Sequence, residues 1–505
     1  MFTHHVGNRL LLLAGLLFAG AVASSAPAVS YGPSVQVPPA PLREFRGAWV
    51  ASVGNINWPS KPGLSTATQK AELLALLDHA VRLRLNAIIF QVRPSCDALY
   101  DSRLEPWSEY ITGTMGQRPQ PFYDPLEFAI AEAHRRGLEL HAWFNPYRAR
   151  YRSAISPIST SHISKTRPQL VRTYGQHLWL DPGEPAVRDY SLAVVLDVVR
   201  RYDIDGVHFD DYFYPYPEKD ASGAPMDFPD STSWRKYGGK SGLSREDWRR
   251  ENVNTFIQRA YASVHGIKPR VKFGLSPFGI WHSGNPAPIR GLDAYDQLYA
   301  DARKWLVNGW LDYCAPQLYW PIAPRETSFT TLLDWWLAQN PTGRHVWPGL
   351  NSAKVGTPGW NPSEIVNQIQ FIRSRERTPG QIHWSMGSLA SGDHGLGALL
   401  AQQCYAQPAL VPACPWLGAS HPGKPTVSLS DASAGSPRLT FKPAPGERVA
   451  RWVLQAKSRD RWTTQIVAGA STSATLGDPP PEVVAVTPID RFGNPGPAVV
   501  LERRN

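Results

Sequence analysis

Between Arg43 and Tyr405 short apolar runs alternate with helix-period stretches eight times, and that rhythm leaves few folds open. Strand-like runs are expected at Phe45 to Ser52, Ala87 to Arg93, Leu138 to Phe144, Gly206 to Asp210, Val271 to Ser276, Tyr313 to Tyr319, His345 to Leu350 and Ile382 to Ser385. Helical patterns follow at Gln69 to Leu83, Pro125 to Arg136, Ala186 to Arg201, Arg245 to His265, Leu298 to Val307, Phe329 to Ala338, Ser363 to Arg375 and Leu396 to Gln403. A strand and a crossover helix, repeated, signal a parallel sheet. Over roughly 360 residues the repeat fits an α/β chain folded as a (β/α)8 TIM barrel with insertions. A doubly wound open sheet competes, but its glycine-rich first turn has no counterpart here. The longest connections, Pro94 to Asp124, Asn145 to Pro185 and Asp211 to Ser244, all follow strands, on the side where barrel enzymes build their sites.

Beyond Cys414 the texture changes. A Pro, Gly and Ser-rich stretch, Gly418 to Pro425, leads into alternating runs at Thr426 to Leu429, Arg438 to Phe441, Ala450 to Ala456, Trp462 to Val467 and Val483 to Thr487, which predict a small C-terminal all-β sandwich. At the other end, His4, His5 and Arg9 precede an apolar run from Leu10 to Ala23, with small residues at Ala21, Ala23 and Ala26. This is the pattern of a secretory signal peptide, too short to span a bilayer, so a secreted or periplasmic protein without a stable membrane anchor is expected. The expected organisation is a signal peptide over 1–26, a Pro-rich linker over 27–42, the barrel over 43–417 and the sandwich over 418–505. In an exported chain the four cysteines allow disulfides, and Cys404 with Cys414, close together among prolines, are the expected bridge.

The net charge of +10 raises the question of an anionic partner. Lys and Arg are scattered and no zinc-finger, recognition-helix or RNP pattern occurs, so nucleic acid is not expected; a cell-wall or other anionic polymer is. The 19 tryptophans are more than a core of this size needs, and about half are expected to serve as flat platforms instead.

Barrel strands are buried on both faces, so polar residues of one parity mark the lumen and its mouth. That parity selects Gln91 and Arg93, His141, Trp143 and Asn145, His208 and Asp210, Gln317 and Tyr319, and His383 and Ser385, all toward the C-terminal ends of their strands. A purely structural lumen would be filled by Val, Ile and Leu. The richest segment is Asp205-Gly206-Val207-His208-Phe209-Asp210-Asp211-Tyr212-Phe213-Tyr214-Pro215-Tyr216, two adjacent carboxylates at a strand end followed by aromatics. Glycoside hydrolysis needs two carboxyl groups, one as nucleophile or base and one as acid. Asp210, which shares the parity of His208, is the candidate for the first role, and Asp211 ranks first for the second ahead of Asp97, Asp181 and Glu326. Arg93, Asp97, His141, Asn145, Tyr147, Arg148, His208 and Gln317 supply candidate polar contacts to substrate. Trp143, Tyr212, Tyr214, Trp281, Tyr319 and Trp320 supply candidate stacking faces, with Trp143, Trp281 and Trp320 expected outside the core. His141, His208 and Asp210 would also suit a metal centre of a deacetylase, although no local ligand spacing supports one.

Arg46-Gly47-Ala48-Trp49, Phe90-Gln91-Val92-Arg93-Pro94, Ala133 to Arg148, Val207 to Pro215 and Pro316-Gln317-Leu318-Tyr319-Trp320 together resemble the glycosyl hydrolase-like 10 family. The resemblance covers roughly residues 43 to 405. It implies a bacterial (β/α)8 barrel without cofactor that hydrolyses O-glycosidic bonds, some members acting on peptidoglycan strands stripped of peptide. The segment Asp205 to Asp210 is similar to the fourth strand of alpha-amylase-type barrels, which by analogy places the nucleophile on Asp210. Those enzymes carry an acid at the end of strand five, where this chain has Ser276; a glycan-binding barrel without catalysis is therefore the rival reading. The closing Ala485 to Asn494 resembles the penultimate strand and turn of fibronectin type III domains.

Overall fold

The computed structural model describes residues 30–390, 394–430, 437–477 and 479–504; the expected signal peptide lies outside them. The barrel strands are β1 (Phe45–Val50), β2 (Ala87–Arg93), β3 (Glu139–Phe144), β4 (Gly206–Phe209), β5 (Lys272–Leu275), β6 (Tyr313–Cys314), β7 (His345–Val346 with Gly349–Leu350) and β8 (Gly380–His383). Each pairs in parallel with the next, and β8 pairs with β1. β7 is broken by Trp347-Pro348, its first half on β6 and its second on β8, and this strand closes the ring. Capping explains the crisp helix starts. Ser65, Ser244 and Ser328 accept from backbone N–H groups at the starts of Thr66–Arg82, Arg245–Ile267 and Phe329–Ala338. Asp124 and Asn361 do so ahead of Pro125 and Pro362.

The lumen is aromatic and polar instead of aliphatic. Phe45 stacks on Trp347 at 4.0 Å between centroids, and Tyr313 lies 5.1 Å from Trp347. Such rings fit because small residues face them. A Cβ on Gly206 would come within 2.5 Å of the His141 ring, and one on Gly274 within 2.2 Å of the Tyr313 ring. One parity expectation is corrected. Ile382 pairs with Gly47, so Ile382 and Trp384 face the lumen, while His383 points outward to Ser352 and Tyr405.

The C-terminal domain is a sandwich of two antiparallel sheets. One holds Thr426–Ser430, Arg438–Lys442 and Ser473–Thr475; the other holds Val499–Arg504, Val483–Ile489, Arg451–Ser458 and Arg461–Ala468. Its outer edge is completed by Ser30–Pro33, paired with Val499–Arg504, so part of the expected linker is a strand of the sandwich. The domain sits under the N-terminal ends of the barrel strands: Arg491 pairs with Asp205 at 2.7 Å, and Arg451 donates to the Gly137 carbonyl. The expected Cys404–Cys414 bridge is absent, and all four cysteines are buried thiols. Cys404 lies near Arg373 and Glu44, whereas Cys414 lies near Lys272 and Asp312, so the short span of sequence does not bring them together. Among the described residues no helix is long and apolar enough to cross a membrane.

Candidate active site

A cavity of about 590 Å³ opens at the C-terminal ends of the strands. Its floor is lumen side chains: Trp49 of β1, Gln91 of β2, Trp143 of β3, Ser276 after β5 and Trp384 after β8. One wall is the connection after β4, from Asp210 to Glu218; another is Gln317 and Tyr319 after β6. The third comes from the long connection after β3, which folds into its own sheet of Arg148–Arg150, Val171–Tyr174 and His177–Leu180. A tight turn at Gly175, at φ +56°, aims His177 and Trp179 at the cavity.

Two carboxyl groups stand at its centre, both buried. Asn145 donates from Nδ2 to Asp210 Oδ2 at 2.7 Å, and the Asp211 backbone N–H donates to Asp210 Oδ1 at 3.0 Å. Asn145 is itself fixed, its Oδ1 accepting from Gln91 Nε2 at 2.6 Å and from Arg148 Nη2 at 3.0 Å. Among the described residues no cation lies within 4.0 Å of Asp211. Burial first, and then the charge of Asp210, push its carboxyl well above the usual carboxylate range, and the two groups share a hydrogen bond while Tyr216 donates to Asp211. One acid that holds its proton beside one anchored carboxylate is the division of labour that glycosidic cleavage uses.

Around the pair, Arg148 donates to the Tyr212 hydroxyl and lies 5.0 Å from the Tyr151 ring. Glu218, a third carboxyl at the wall, pairs with His177 at 3.3 Å. The Trp143 indole N–H is buried and, among the described residues, has no hydrogen-bond partner.

Beneath the floor a chain of hydrogen bonds runs down the lumen. An indole N–H can only donate, so His208 Nε2 accepts from Trp49 Nε1 at 3.1 Å and Nδ1 carries the proton. Nδ1–H then donates to the Tyr313 hydroxyl at 3.0 Å, and that hydroxyl donates to His141 Nδ1 at 2.9 Å. His141 Nε2–H donates to Glu139 at 3.0 Å, and Lys272 closes the chain on the same carboxylate at 3.0 Å. Burial, with His141 nearby, holds His208 well below its usual range and neutral. Burial works against the Glu139 charge, but Lys272 and His141 outweigh it and hold the group at about 2.

Of the expected site residues, Trp143, Arg148, Asp210, Asp211, Tyr212, Gln317 and Tyr319 line the cavity, and Asn145 stands directly behind Asp210. Others do not. Arg93 is buried on Glu105 at 2.5 Å and braces the carbonyls of Asn145 and Pro146. Asp97 accepts from the Ser95 N–H, its carboxyl raised by burial to about 6. His141 and His208 belong to the lumen chain. Sharing the Tyr313 hydroxyl, they do not converge on Asp210. Tyr147 packs between Phe213 and Phe256, and Tyr214 against Phe228 and Tyr299. Trp281 stacks on Trp335 at 5.6 Å, and Trp320 packs on Phe278. Asp181 is tied to Ser233 and Arg172, while Glu326 does not reach the cavity. The sequence reading missed Trp49, Tyr151, Arg152, His177, Trp179, Tyr216, Glu218 and Trp384. Tyr216 was within reach as part of the aromatic run after Asp211, and Trp49 through the β1 parity.

The chain matches the glycosyl hydrolase-like 10 family over residues 44–366. It is 40% identical over 419 residues to Glycosyl hydrolase YngK of Bacillus subtilis (strain 168), covering 80% of each chain. It is 38% identical over 353 residues to Glycosyl hydrolase DigH of Escherichia coli (strain K12), covering 65% of this chain and 78% of that one. Among solved structures, the PgaB (BpsB) glycoside hydrolase domain from Bordetella bronchiseptica is similar at a TM-score of 0.47 and 15% identity, over 72% of this chain and 99% of that domain. The family match runs from β1 through β7 and takes in the loops that carry both central carboxyls: the chain belongs to the glycosyl hydrolase-like 10 family and is a glycoside hydrolase.

Proposed function

We propose that this enzyme works outside the cytoplasm and cleaves O-glycosidic bonds in a bacterial polysaccharide, the peptidoglycan glycan strand stripped of its peptides. The observation that carries the reading is the buried Asp210–Asp211 pair at the centre of an aromatic cavity. Asp211 gives its proton to the leaving oxygen. Asp210, anchored by Asn145, carries the negative charge that meets the developing oxocarbenium ion. A sugar that enters must part the two groups, because a shared hydrogen bond is shorter than the roughly 5 Å that separates the carboxyls of a retaining pair.

Trp143, Trp179, Tyr319 and Trp384 offer ring faces to pyranoses, and the unpartnered Trp143 N–H offers a donor to a hydroxyl or an acetamido carbonyl. Arg148 and Arg152 on the wall suit the lactyl carboxylate that muramic acid exposes once its peptide is gone. The apolar run Leu10 to Ala23 and the net positive charge support export toward an anionic wall.

The test is digestion of de-stemmed peptidoglycan, intact peptidoglycan and a panel of α- and β-glucans, with products read by mass spectrometry. Cleavage confined to the de-stemmed strands is expected; cleavage of glucans alone would overturn the substrate. Asp211→Asn and Glu218→Gln decide the acid. Loss in the first, recovered on substrates with an activated leaving group, supports Asp211; that behaviour in the second moves the role to Glu218.

A further inference from the structure

A second cavity, of about 530 Å³, lies between the foot of the barrel and the sandwich. Asn86, Glu139 and Asp205 at the N-terminal ends of β2, β3 and β4 line it, so it opens at the opposite end of the lumen from the candidate active site. Its size is that of small-molecule sites, ~300–1,000 Å³.

Its charges do not balance. Every acid on its wall is committed. Asp205 is held by Arg491 at 2.7 Å and His134 at 2.7 Å, Glu139 by Lys272 at 3.0 Å, and Asp490 by the N–H groups of Phe492 and Asn494 in its own turn. Three guanidinium groups on the same wall have no such partner. Arg84 donates to the Tyr405 carbonyl, and Arg451 donates to the carbonyls of Gly137 and Ala450. Among the described residues no carboxylate lies within 4.0 Å of Arg84, Arg451 or Arg461. Arg451 feels Asp205 and Glu139 only at longer range, and burial works against its charge.

Beside them stands an aromatic. The turn at Arg459 and Asp460, both at positive φ, joins Arg451–Ser458 to Arg461–Ala468. It starts an alternation in which Trp462, Thr464 and Ile466 are half-buried toward the cleft and Arg461, Thr463 and Gln465 are more exposed. An indole ring, hydroxyl and amide groups and unpaired guanidinium forks match a sugar that carries a carboxylate.

We propose that this cleft is a second saccharide site, shared by the barrel foot and the C-terminal sandwich. A carboxylate-bearing glycan segment binds along it, with Trp462 against one pyranose face, Arg461 at the rim beside it, and Arg451, opposite Ala468 at the far end of the strand pair, forked on the acid of a separate sugar. The site does not depend on which glycan the barrel cuts. It gives the sandwich a role in holding polymer while the cavity at the other end works on another segment.

The test is calorimetric titration of the full chain carrying Asp210→Asn, so that no ligand is consumed. The probes are hexagalacturonate, de-stemmed peptidoglycan strands, neutral maltohexaose and a ten-residue oligothymidylate. At least one acidic glycan is expected to bind, with about a tenfold or greater loss in Arg461→Gln and in Trp462→Ala. That loss is expected at unchanged melting temperature. Arg451→Lys, which keeps the charge but not the fork, is expected to weaken the same event. The proposal is overturned if neither acidic glycan binds, if maltohexaose binds equally well, if oligothymidylate binds more tightly through the same residues, or if Arg461→Gln and Trp462→Ala leave the event unchanged.

Discussion

The two ends of β4 each carry a buried aspartate, and they are treated in opposite ways. Asp205, at the foot, meets Arg491, His134 and the Leu140 N–H; burial opposes its charge, but these partners hold it well below the usual carboxylate range. Asp211, just past the mouth end, has equal burial and a carboxylate for its neighbour, and is pushed well above that range. Six positions of sequence separate Asp205 from Asp211, so the difference lies in what the surrounding elements bring. At the foot the sandwich and a helix end bring cations; at the mouth the connections bring rings and amides. Burial alone does not say whether an acid is a brace or a reagent. The missing counter-charge does.

The comparison is broken most sharply by removing charge at each end. Asp210→Asn is expected to lower turnover on the order of 10³-fold with little change in thermal stability. Asp205→Asn leaves half-buried Arg491 and His134 without their acid and is expected to cost about 1–3 kcal/mol of stability, with the folded fraction still active. Parallel glycan-digestion rates and thermal melts check both. Asn145→Ala comes next: it removes the donor on Asp210 and is expected to lower kcat on the order of 10²-fold with little effect on KM.

pH sharpens the same contrast. The folded Asp211 binds its proton more tightly than the unfolded one, so stability falls as pH rises from the unfolded value, about 3.9, through the raised folded value. Asp205 has the opposite sign: its contribution is present above the unfolded value and lost as pH falls through the depressed folded value. Melting temperature followed from pH 3 to 8 is therefore expected to drop less on the alkaline side in Asp211→Asn, and less on the acid side in Asp205→Asn. The alkaline limb of activity in the native enzyme is expected to follow the Asp211 proton. The smallest effect is expected from Trp384→Ala, about fivefold in KM with kcat nearly kept, because one stacking face is worth about 1 kcal/mol.

Much of this architecture was legible in the order of residues. The eight strands and the carboxylate pair at the end of β4 follow from periodicity and parity, which are backbone properties. Parity failed where polarity misled: His383 is polar but faces Tyr405, and only the Ile382–Gly47 register puts Trp384 over the cavity. It also failed to rank depth. His141 and Asp210 share a face, yet one lies low in the lumen on Glu139 and the other at the mouth on Asn145. Arg93 is polar, near a strand end and still a brace, because Glu105 twelve residues on returns to meet it. The hairpin that carries His177 and Trp179 sits in a connection whose path is set by tertiary packing, which no local pattern records.

The strand Ser30–Pro33 decides what the outer edge of the sandwich can pair with. Ser34 donates to Glu502 across 468 residues of sequence, and among the described residues this early segment is what covers the sheet edge beside Val499–Arg504. A four-residue strand that ends in proline leaves little for another chain to pair with, so this segment seals the edge against association with a neighbour.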